Sequence, residues 1–467
     1  MISKRLTEFI FKTQYEDIPQ EITQLAKRCF LDWLGCTIAA SDSETAHIFL
    51  AIVRELGGHP QATIIPYGDK TSVLNAALVN AALSHFLELD DIHKKAMYHP
   101  GIPVIPAILA LSEKEGKSGK DLITALIIGY EVGIRIGIAI NPSHFRIWHT
   151  TGTAGTFASA AATGKLLGLS KEQLVHSLGN AGTQASGLWE FLTDGAMTKP
   201  LHPAKAAQNG LLSTLLAKKG FTGPSKIIEG DRGFVKATSK EKDIESIIFD
   251  LGNYYCMRDI GFKVHAGCRH TNSPVDGTLA LVQQYDLKPE DIRQVTVKVY
   301  QLAKDLTGKT DPKNPTDGKF SIPYCVASAI RFRNCNLSVF SQENIDCIQT
   351  KSLLKRIKLV VDESLEREFP QGYASIVEIE TVSGKRYSQR TDYAKGDPEN
   401  PVSWEEIEQK FRNLTGNKLI SAKVEEIIHL VKTLENVPDV NKVIELINQS
   451  IMEKNLKRGV FYNDGSI

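Results

Sequence analysis

The chain is short of the signatures that assign a large protein quickly. Its seven cysteines (Cys29, Cys36, Cys256, Cys268, Cys325, Cys335 and Cys347) are odd in number and contain no CxxC pair. That argues against a disulfide framework and a zinc module, and fits a reducing compartment. No GxGxxG, Walker A, GxSxG, HExxH or haem motif occurs, so dinucleotide, P-loop and Ser-triad readings have no support. A net charge of +1 provides no overall field for nucleic acid or a membrane surface; any charge that binds a charged ligand must be local. The first residues, MISKRLTEFIFKTQYEDIP, contain neither a long apolar segment nor a small-residue cleavage site, and a cytoplasmic location is expected. The one long apolar run, LITALIIGYEVGIRIGIAI at 122–140, approaches the ~20 residues of a membrane span. Glu131 and Arg135 interrupt it at i,i+4 spacing, where they can pair on one helix face. It is read as a buried core helix.

What is present suits a large globular protein. The chain has 467 residues, 42% hydrophobic and 23% charged, enough for about two or three domains. Apolar spacing of three and four residues recurs in 20–40, 71–89 and 103–114, as amphipathic helices require. The Ala- and Gly-rich segment 153–168 predicts a close-packed core helix. Gly168, then Ser170 with Gln173 three residues on, predicts a stop and a capping box. After about residue 259 the pattern becomes strand-like. IRQVTVKVYQL at 292–302 alternates, RIKLVVDE at 356–363 is a second strand, and 375–393 reads as strand, Ser-Gly turn, strand. Helical patterns at 273–285 and 322–332 lie between them, and 403–467 is helical again. The expected fold class is mostly α: a large all-helical domain, 1–258 and 394–467, with an inserted α+β domain at 259–393.

Four polar patches interrupt this apolar background. The first holds His85, Glu88, Asp90, Asp91 and His93, then Tyr98-His99-Pro100-Gly101. A metal-dependent hydrolase using His85, Asp90, Asp91, His93 and His99 is one reading, but the spacing matches no metal motif. A polar helix end capped by Asp90 or Asp91 is another. The preferred reading is a loop that presents His99 and one acid to a cleft. The second patch has His149 and Thr150 just ahead of the small-residue helix, where unpaired backbone N–H groups favour an anion. The third is Thr198-Lys199-Pro200-Leu201-His202-Pro203, with two prolines holding Lys199 and His202 at the start of a helix from about 204. The fourth, Lys263-Val264-His265-Ala266-Gly267-Cys268-Arg269-His270, falls at the expected domain boundary, where clefts are common. Alone, each is as compatible with a structural role in a non-catalytic helical scaffold.

In order and spacing the patches are more specific. LDWLGCTIAAS (31–41), HFLELDDIHKKAMYHPGIPVIPAILAL (85–111), IIGYEVGIRIG (127–137), HTTGTAGTFASAAATGKLLGLS (149–170), MTKPLHPAKAAQNGLLSTLLAKKGFTGP (197–224) and FKVHAGCRHT (262–271) together resemble the MmgE/PrpD family, from about residue 5 to 400. That family contains 2-methylcitrate dehydratase, cis-aconitate decarboxylase and iminodisuccinate epimerase. The resemblance implies a helical domain with an α+β lid, a homodimer, a small polycarboxylate substrate, and no metal or organic cofactor. It carries site positions onto Glu88, His99, His149, Lys199 and Lys263. Together with the reading of the patches, Glu88, Asp90, His99, His149 and Lys199 are the expected catalytic residues, and Thr150, His202, Lys263, Cys268 and Arg269 the expected substrate contacts.

The chain also departs from the family pattern. The dehydratase and decarboxylase branch has Asp at the position of Glu88, Thr at Ile92 and a catalytic His at Cys268. Cys268-Arg269-His270 is closer to the CRxxH of the epimerase-like branch, whose histidine is Asn272 here. Arg269 adds a bidentate carboxylate clamp. Abstraction of a proton α to a carboxylate is therefore expected, with fixed cations stabilising the enediolate and His99 and His149 as base and acid. Isomerisation or epimerisation is ranked ahead of dehydration or decarboxylation.

Overall fold

The apolar run that could span a membrane is a helix, Gly119–Ile140, in the computed structural model. Almost all of its apolar window is buried inside the protein. Glu131 and Arg135 pair at 3.1 Å on its face. Arg135 also donates to the carbonyls of Phe249 and Tyr254, at 2.7 and 2.5 Å, and Glu131 accepts from the Met257 amide at 2.7 Å. Backbone hydrogen bonds to both charges offset part of the desolvation cost of burying the pair. Here it also fastens the 244–259 segment to the helix. The structure describes residues 1–241 and 243–457; residue 242 and the last ten residues of the expected helical C-terminus, 458–467, lie outside the described residues.

The protein is mostly α. The small-residue segment forms the helix Thr150–Leu166, which packs between Gly119–Ile140 and Leu201–Lys218. Close approach depends on small side chains: a Cβ on Gly210 would lie 2.4 Å from Ser159 Cβ. Ser159 Oγ donates to the Ala207 carbonyl at 2.9 Å across the same seam. The capping box forms as read, with Ser170 and Gln173 opening Lys171–Gly182. The helix after Lys199 begins at Leu201, three residues earlier than expected, because Pro203 is tolerated within a first turn. Trp404–Thr415, the first helix of the C-terminal segment, packs on Gln20–Ala39, with Phe411 against Gly35.

A second apolar core surrounds a four-stranded sheet. Its order is Ile357–Val361, Ile292–Val299, Ser375–Thr381, Arg386–Thr391. The first two strands run parallel (Val297 opposite Leu359), and the rest are antiparallel (Val297 opposite Val377). Val295, Val297 and Val299 alternate inward as the sequence pattern requires. Helices Asn272–Gln284 and Ile322–Phe332 complete this core, which Val79 and Leu83 of the helix Val73–Phe86 also enter.

Two short pairings were not foreseen. Ala62–Thr63 pairs with Lys70–Thr71. Ile92–His93 pairs with Ile260–Gly261, which holds the first polar patch against the start of the fourth. Hydrophobic periodicity does not register strands of two residues.

Candidate active site

One loop supplies most of the charge. The helix Val73–Phe86 ends beside His85, and the chain returns to helix only at Gly101. Between them Glu88 takes a left-handed backbone conformation (φ +55°), a conformation that costs a non-glycine residue energy and recurs at functional sites. Its amide bonds back to the His85 carbonyl at 3.2 Å, and its carbonyl accepts from the Gly267 amide at 3.0 Å. The Glu88 carboxylate is paired with Lys199 and stands 3.5 Å from Lys263. Burial pushes this carboxyl up, but Lys199 and Lys263 outweigh it and hold Glu88 well below the usual range.

Asp90 is the second buried acid. Its Oδ2 lies 2.8 Å from His99 Nδ1 and 3.1 Å from His85 Nδ1, and its Oδ1 lies 3.6 Å from Lys263. Burial opposes its ionisation; His99, Lys263 and His85 together overcome that and keep it well below its ordinary value. His99 Nδ1 is also 2.7 Å from the Asp91 carbonyl. With two acceptors around it, Nδ1 carries the proton, which leaves Nε2 as the basic nitrogen. Burial lowers His99 to about 4, Asp90 opposing, so its resting form is the neutral base.

His149 caps the helix Thr150–Leu166 from outside and makes no side-chain capping bond. Its ring stacks on His85 at 5.6 Å and tilts against Trp189 at 4.7 Å, and its Nδ1 is 3.2 Å from His202 Nδ1. Burial first, then His202 and Lys199, drives His149 well below its ordinary value; burial takes His202 to about 4. Lys199 lies 4.8 Å over the Phe320 ring.

These groups meet in one narrow cavity. Glu88, His99, His149, Lys199, Cys268 and Arg269 all line it. Ile92, in place of the expected threonine, contributes an apolar wall. Asp90 stands behind His99 rather than on the surface.

Other expected contacts are placed differently. Arg269 reaches the cavity, but its guanidinium is paired with Asp397 and donates to Asn272 at 3.0 Å. It is therefore not the free bidentate clamp that the sequence suggested: a buried guanidinium needs a counter-charge, and Asp397 supplies it. Lys263 is fully buried behind Glu88 and Asp90, and also donates to the Gly267 carbonyl at 3.4 Å. It sets the charge of those acids rather than forming the wall. The Thr150 hydroxyl accepts from Asn141 at 3.1 Å, away from the cavity. His202 acts on the site through His149. Cys268 is a wall residue whose thiol burial pushes up to about 11.

The residues of the hydrolase reading separate. Among the described residues, His85, Asp90 and His99 offer ligand atoms within 4.8 Å of one another. Both Nδ1 atoms are directed at one carboxylate oxygen, Asp90 Oδ2, at hydrogen-bond distance. His93 instead accepts from the Ala96 amide at 3.1 Å, and Asp91 accepts from Tyr130 at 2.6 Å and from the Gly101 amide at 3.2 Å. Asp91 is not the helix-end cap that one sequence reading offered, since the preceding helix ends at Phe86 and the next is entered through Pro100; burial raises it to about 7.

Sequence reading missed several wall residues. Trp189, Phe320, His270 and Tyr373 line the cavity. Trp189 lies in the apolar segment beside Lys199, and His270 lies in a quoted patch. Nothing local in the sequence marks Phe320, Tyr373 or Asp397. Lys410, on the helix Trp404–Thr415, binds the Leu89 and Lys263 carbonyls at 2.6 and 2.8 Å and Asp32 at 2.6 Å, tying both polar patches from behind.

Known proteins are similar along nearly the whole chain. Residues 4–247 match the MmgE/PrpD N-terminal domain and residues 265–436 the MmgE/PrpD C-terminal domain. A cis-aconitate decarboxylase of Aspergillus terreus is 30% identical over 460 residues, 93% of each chain. A cis-aconitate decarboxylase of Mus musculus is 25% identical, covering 96% of this chain and 94% of that one. A probable 2-methylcitrate dehydratase of Saccharomyces cerevisiae is 24% identical, covering 91% and 85%. With both domains matched in order and the buried acid–histidine–lysine cavity formed between the matched motifs, the chain belongs to the MmgE/PrpD family.

Proposed function

We propose that the protein is a lyase acting on an aconitate-class tricarboxylic acid, by decarboxylation of cis-aconitate, with dehydration of a citrate-class acid as the second reading. The observation that carries it is the cavity itself: neutral His99 and His149 face a space beside Lys199, with ionised Glu88 in the same wall and ionised Asp90 behind His99. The full-length similarity to cis-aconitate decarboxylases and to a probable 2-methylcitrate dehydratase supports the lyase side. Isomerisation, ranked first from Ile92, Cys268 and Arg269, loses its main ground: Arg269 is neutralised by Asp397 and is no free clamp.

In the proposed reaction, a substrate carboxylate binds against Lys199, and Arg269, held by Asp397, stays part of the wall. A polyanion beside His99 and His149 favours their protonated forms and raises both from their low resting values. The bond to one carboxyl breaks and carbon dioxide leaves. The electron pair passes into the unsaturated system conjugated with a remaining carboxylate, where Lys199 stabilises the developing charge. A histidine then delivers a proton to carbon. In dehydration the same pair would take the α-proton and protonate the departing hydroxyl. We propose no metal or organic cofactor, since Lys263 already supplies the positive charge beside Asp90.

The proposed architecture divides the chain at 259 and 393, with the α+β part as a lid over the helical part. It is supported by the burial of apolar residues from 402–447 in the same core as Phe30 and Leu34. Homodimerisation is proposed on the family resemblance, and a cytoplasmic location on the scattered cysteines without a CxxC pair; sedimentation tests the first. The function is tested by incubating chelator-treated protein separately with cis-aconitate, citrate and 2-methylcitrate. Expected is carbon dioxide in equal amount to the unsaturated dicarboxylate, from cis-aconitate alone. Isomer formation without gas release would overturn the reading.

A further inference from the structure

The cavity wall carries an imidazole that the chemistry above leaves unused. His270 lines the same cavity as His99 and Lys199 and is 5% exposed. It sits in the short turn Arg269–Thr271 that opens the helix Asn272–Gln284. Its ring lies flat on Tyr373, with centroids 4.9 Å apart and planes 15° from parallel. Its Nδ1 meets the Tyr300 hydroxyl.

Tyr300 decides the tautomer. Its own ring is stacked on Phe369 at 4.6 Å and is 1% exposed. Burial holds the phenol well above its ordinary value, so it keeps its proton. A buried hydroxyl that does not donate is costly. Among the described residues the acceptor at hand is His270 Nδ1. Tyr300 therefore donates, Nδ1 accepts, and the imidazole proton sits on Nε2. Burial, then Arg269 and Lys199, lowers His270 to about 3, which keeps the ring neutral at physiological pH. Cys268, its other neighbour on the wall, stays a protonated thiol. Tyr373 donates away from the ring, to the Lys94 carbonyl at 3.1 Å.

We propose that His270 is a substrate-contacting residue, a neutral Nε2–H donor that binds one carboxylate of the polycarboxylate substrate, and that Tyr300 is the positioning residue that locks its tautomer. The proposal rests on the lyase reading for the identity of the acid. It divides the labour across the cavity. Lys199 binds by charge; His270 binds by direction. A site built to donate a hydrogen bond discriminates strongly against a ligand lacking the acceptor. It would favour an acid with a carboxylate at that end over one with an alkyl group.

The test uses the full-length protein with histidine-selective 15N labelling and four forms: wild type, His270→Gln, His270→Phe and Tyr300→Phe. The signal lost in both His270 variants identifies the residue. Expected is an Nε2–H neutral spectrum that does not titrate between about pH 8 and pH 5, and mixed tautomers in Tyr300→Phe. An Nδ1–H tautomer, or titration near the ordinary histidine value, would overturn the lock. Calorimetric titration with cis-aconitate reads the contact. His270→Phe is expected to bind about tenfold or more weakly, His270→Gln to recover most of that through its amide N–H, and Tyr300→Phe to fall between. Equal binding by all four forms would overturn the substrate contact even with the tautomer as expected. Failure of the wild type itself to bind cis-aconitate would sink the lyase reading and the contact with it, while the spectrum still decides whether His270 is a locked donor.

Discussion

Two buried glutamate pairs in this protein look alike by composition and behave differently. Glu131–Arg135 lies along one helix, four residues apart, and its further bonds go to backbone: Met257 N–H to the acid, and the Phe249 and Tyr254 carbonyls to the guanidinium. Glu88–Lys199 joins residues 111 positions apart, carries a left-handed backbone at Glu88, and borders open space. Burial is nearly complete in both. The charges diverge: burial pushes Glu131 up against its single arginine, whereas Lys199 and Lys263 together overcome burial and pull Glu88 down. A closed pair fastens structure. A pair that borders a cavity leaves its lysine within reach of another anion.

The largest expected effect sharpens that difference. Lys199→Met removes the cation that faces the cavity, and kcat/KM on cis-aconitate is expected to fall about 10³-fold or more, while thermal melting shows a folded protein. Arg135→Met is the mirror case. It leaves Glu131 buried without its partner, and denaturant titration is expected to show a loss of about 3–5 kcal/mol with kcat per folded molecule unchanged. If Arg135→Met impaired turnover as severely as Lys199→Met, the distinction between the two pairs would break. Next in size is His99→Gln, expected to lower kcat by about 10²-fold or more with little change in melting temperature.

Acid stability follows from the same environments. Burial takes His93 and His270 to about 3, and His99, His144 and His202 to about 4. In the unfolded chain these groups bind protons near pH 6.5. Between roughly pH 6.5 and 4 the unfolded state therefore holds more protons, and stability falls as pH falls. Asp91, raised to about 7, acts oppositely: its neutral native form makes stability fall as pH rises from about 4 to 7. His149 is lowered in the same way, and burial raises Asp32, Glu131 and Asp259 as it does Asp91. Six histidines against four carboxyls give a net loss, so the melting temperature is expected to drop from pH 7 to pH 5. The smallest effect belongs to Cys268→Ser. A thiol held near 11 is no nucleophile, and activity is expected to stay within about twofold.

The same comparison explains what the sequence revealed. Glu131 and Arg135 were readable as a pair because helical spacing is local, and Ser170 with Gln173 as a cap for the same reason. The valine alternation in 292–299 and the Ser383-Gly384 turn gave the sheet strands. The gathering of His99, His149 and Lys199 was legible only from the order of motifs, since contacts across 50 to 110 residues leave no periodic trace. Charge neutralisation was not legible at all. Arg269 read as a free clamp because its partner Asp397 lies 128 positions away, and Lys263 read as a substrate contact because nothing nearby marks it as buried. Tyr300, Phe320 and Tyr373 come from an α+β region whose sequence read only as fold.

The central claim is that the cavity beside the Glu88–Lys199 pair releases carbon dioxide and returns a proton to carbon. The most direct test is turnover of cis-aconitate in heavy water by wild type, Lys199→Met, His99→Gln and His149→Gln, followed by NMR with carbon dioxide measured in parallel. Expected is one deuteron bound to carbon in the product for each carbon dioxide released by the wild type, with release suppressed in all three variants. Deuterium appearing in recovered aconitate without carbon dioxide, or wild-type rates in the variants, would contradict it.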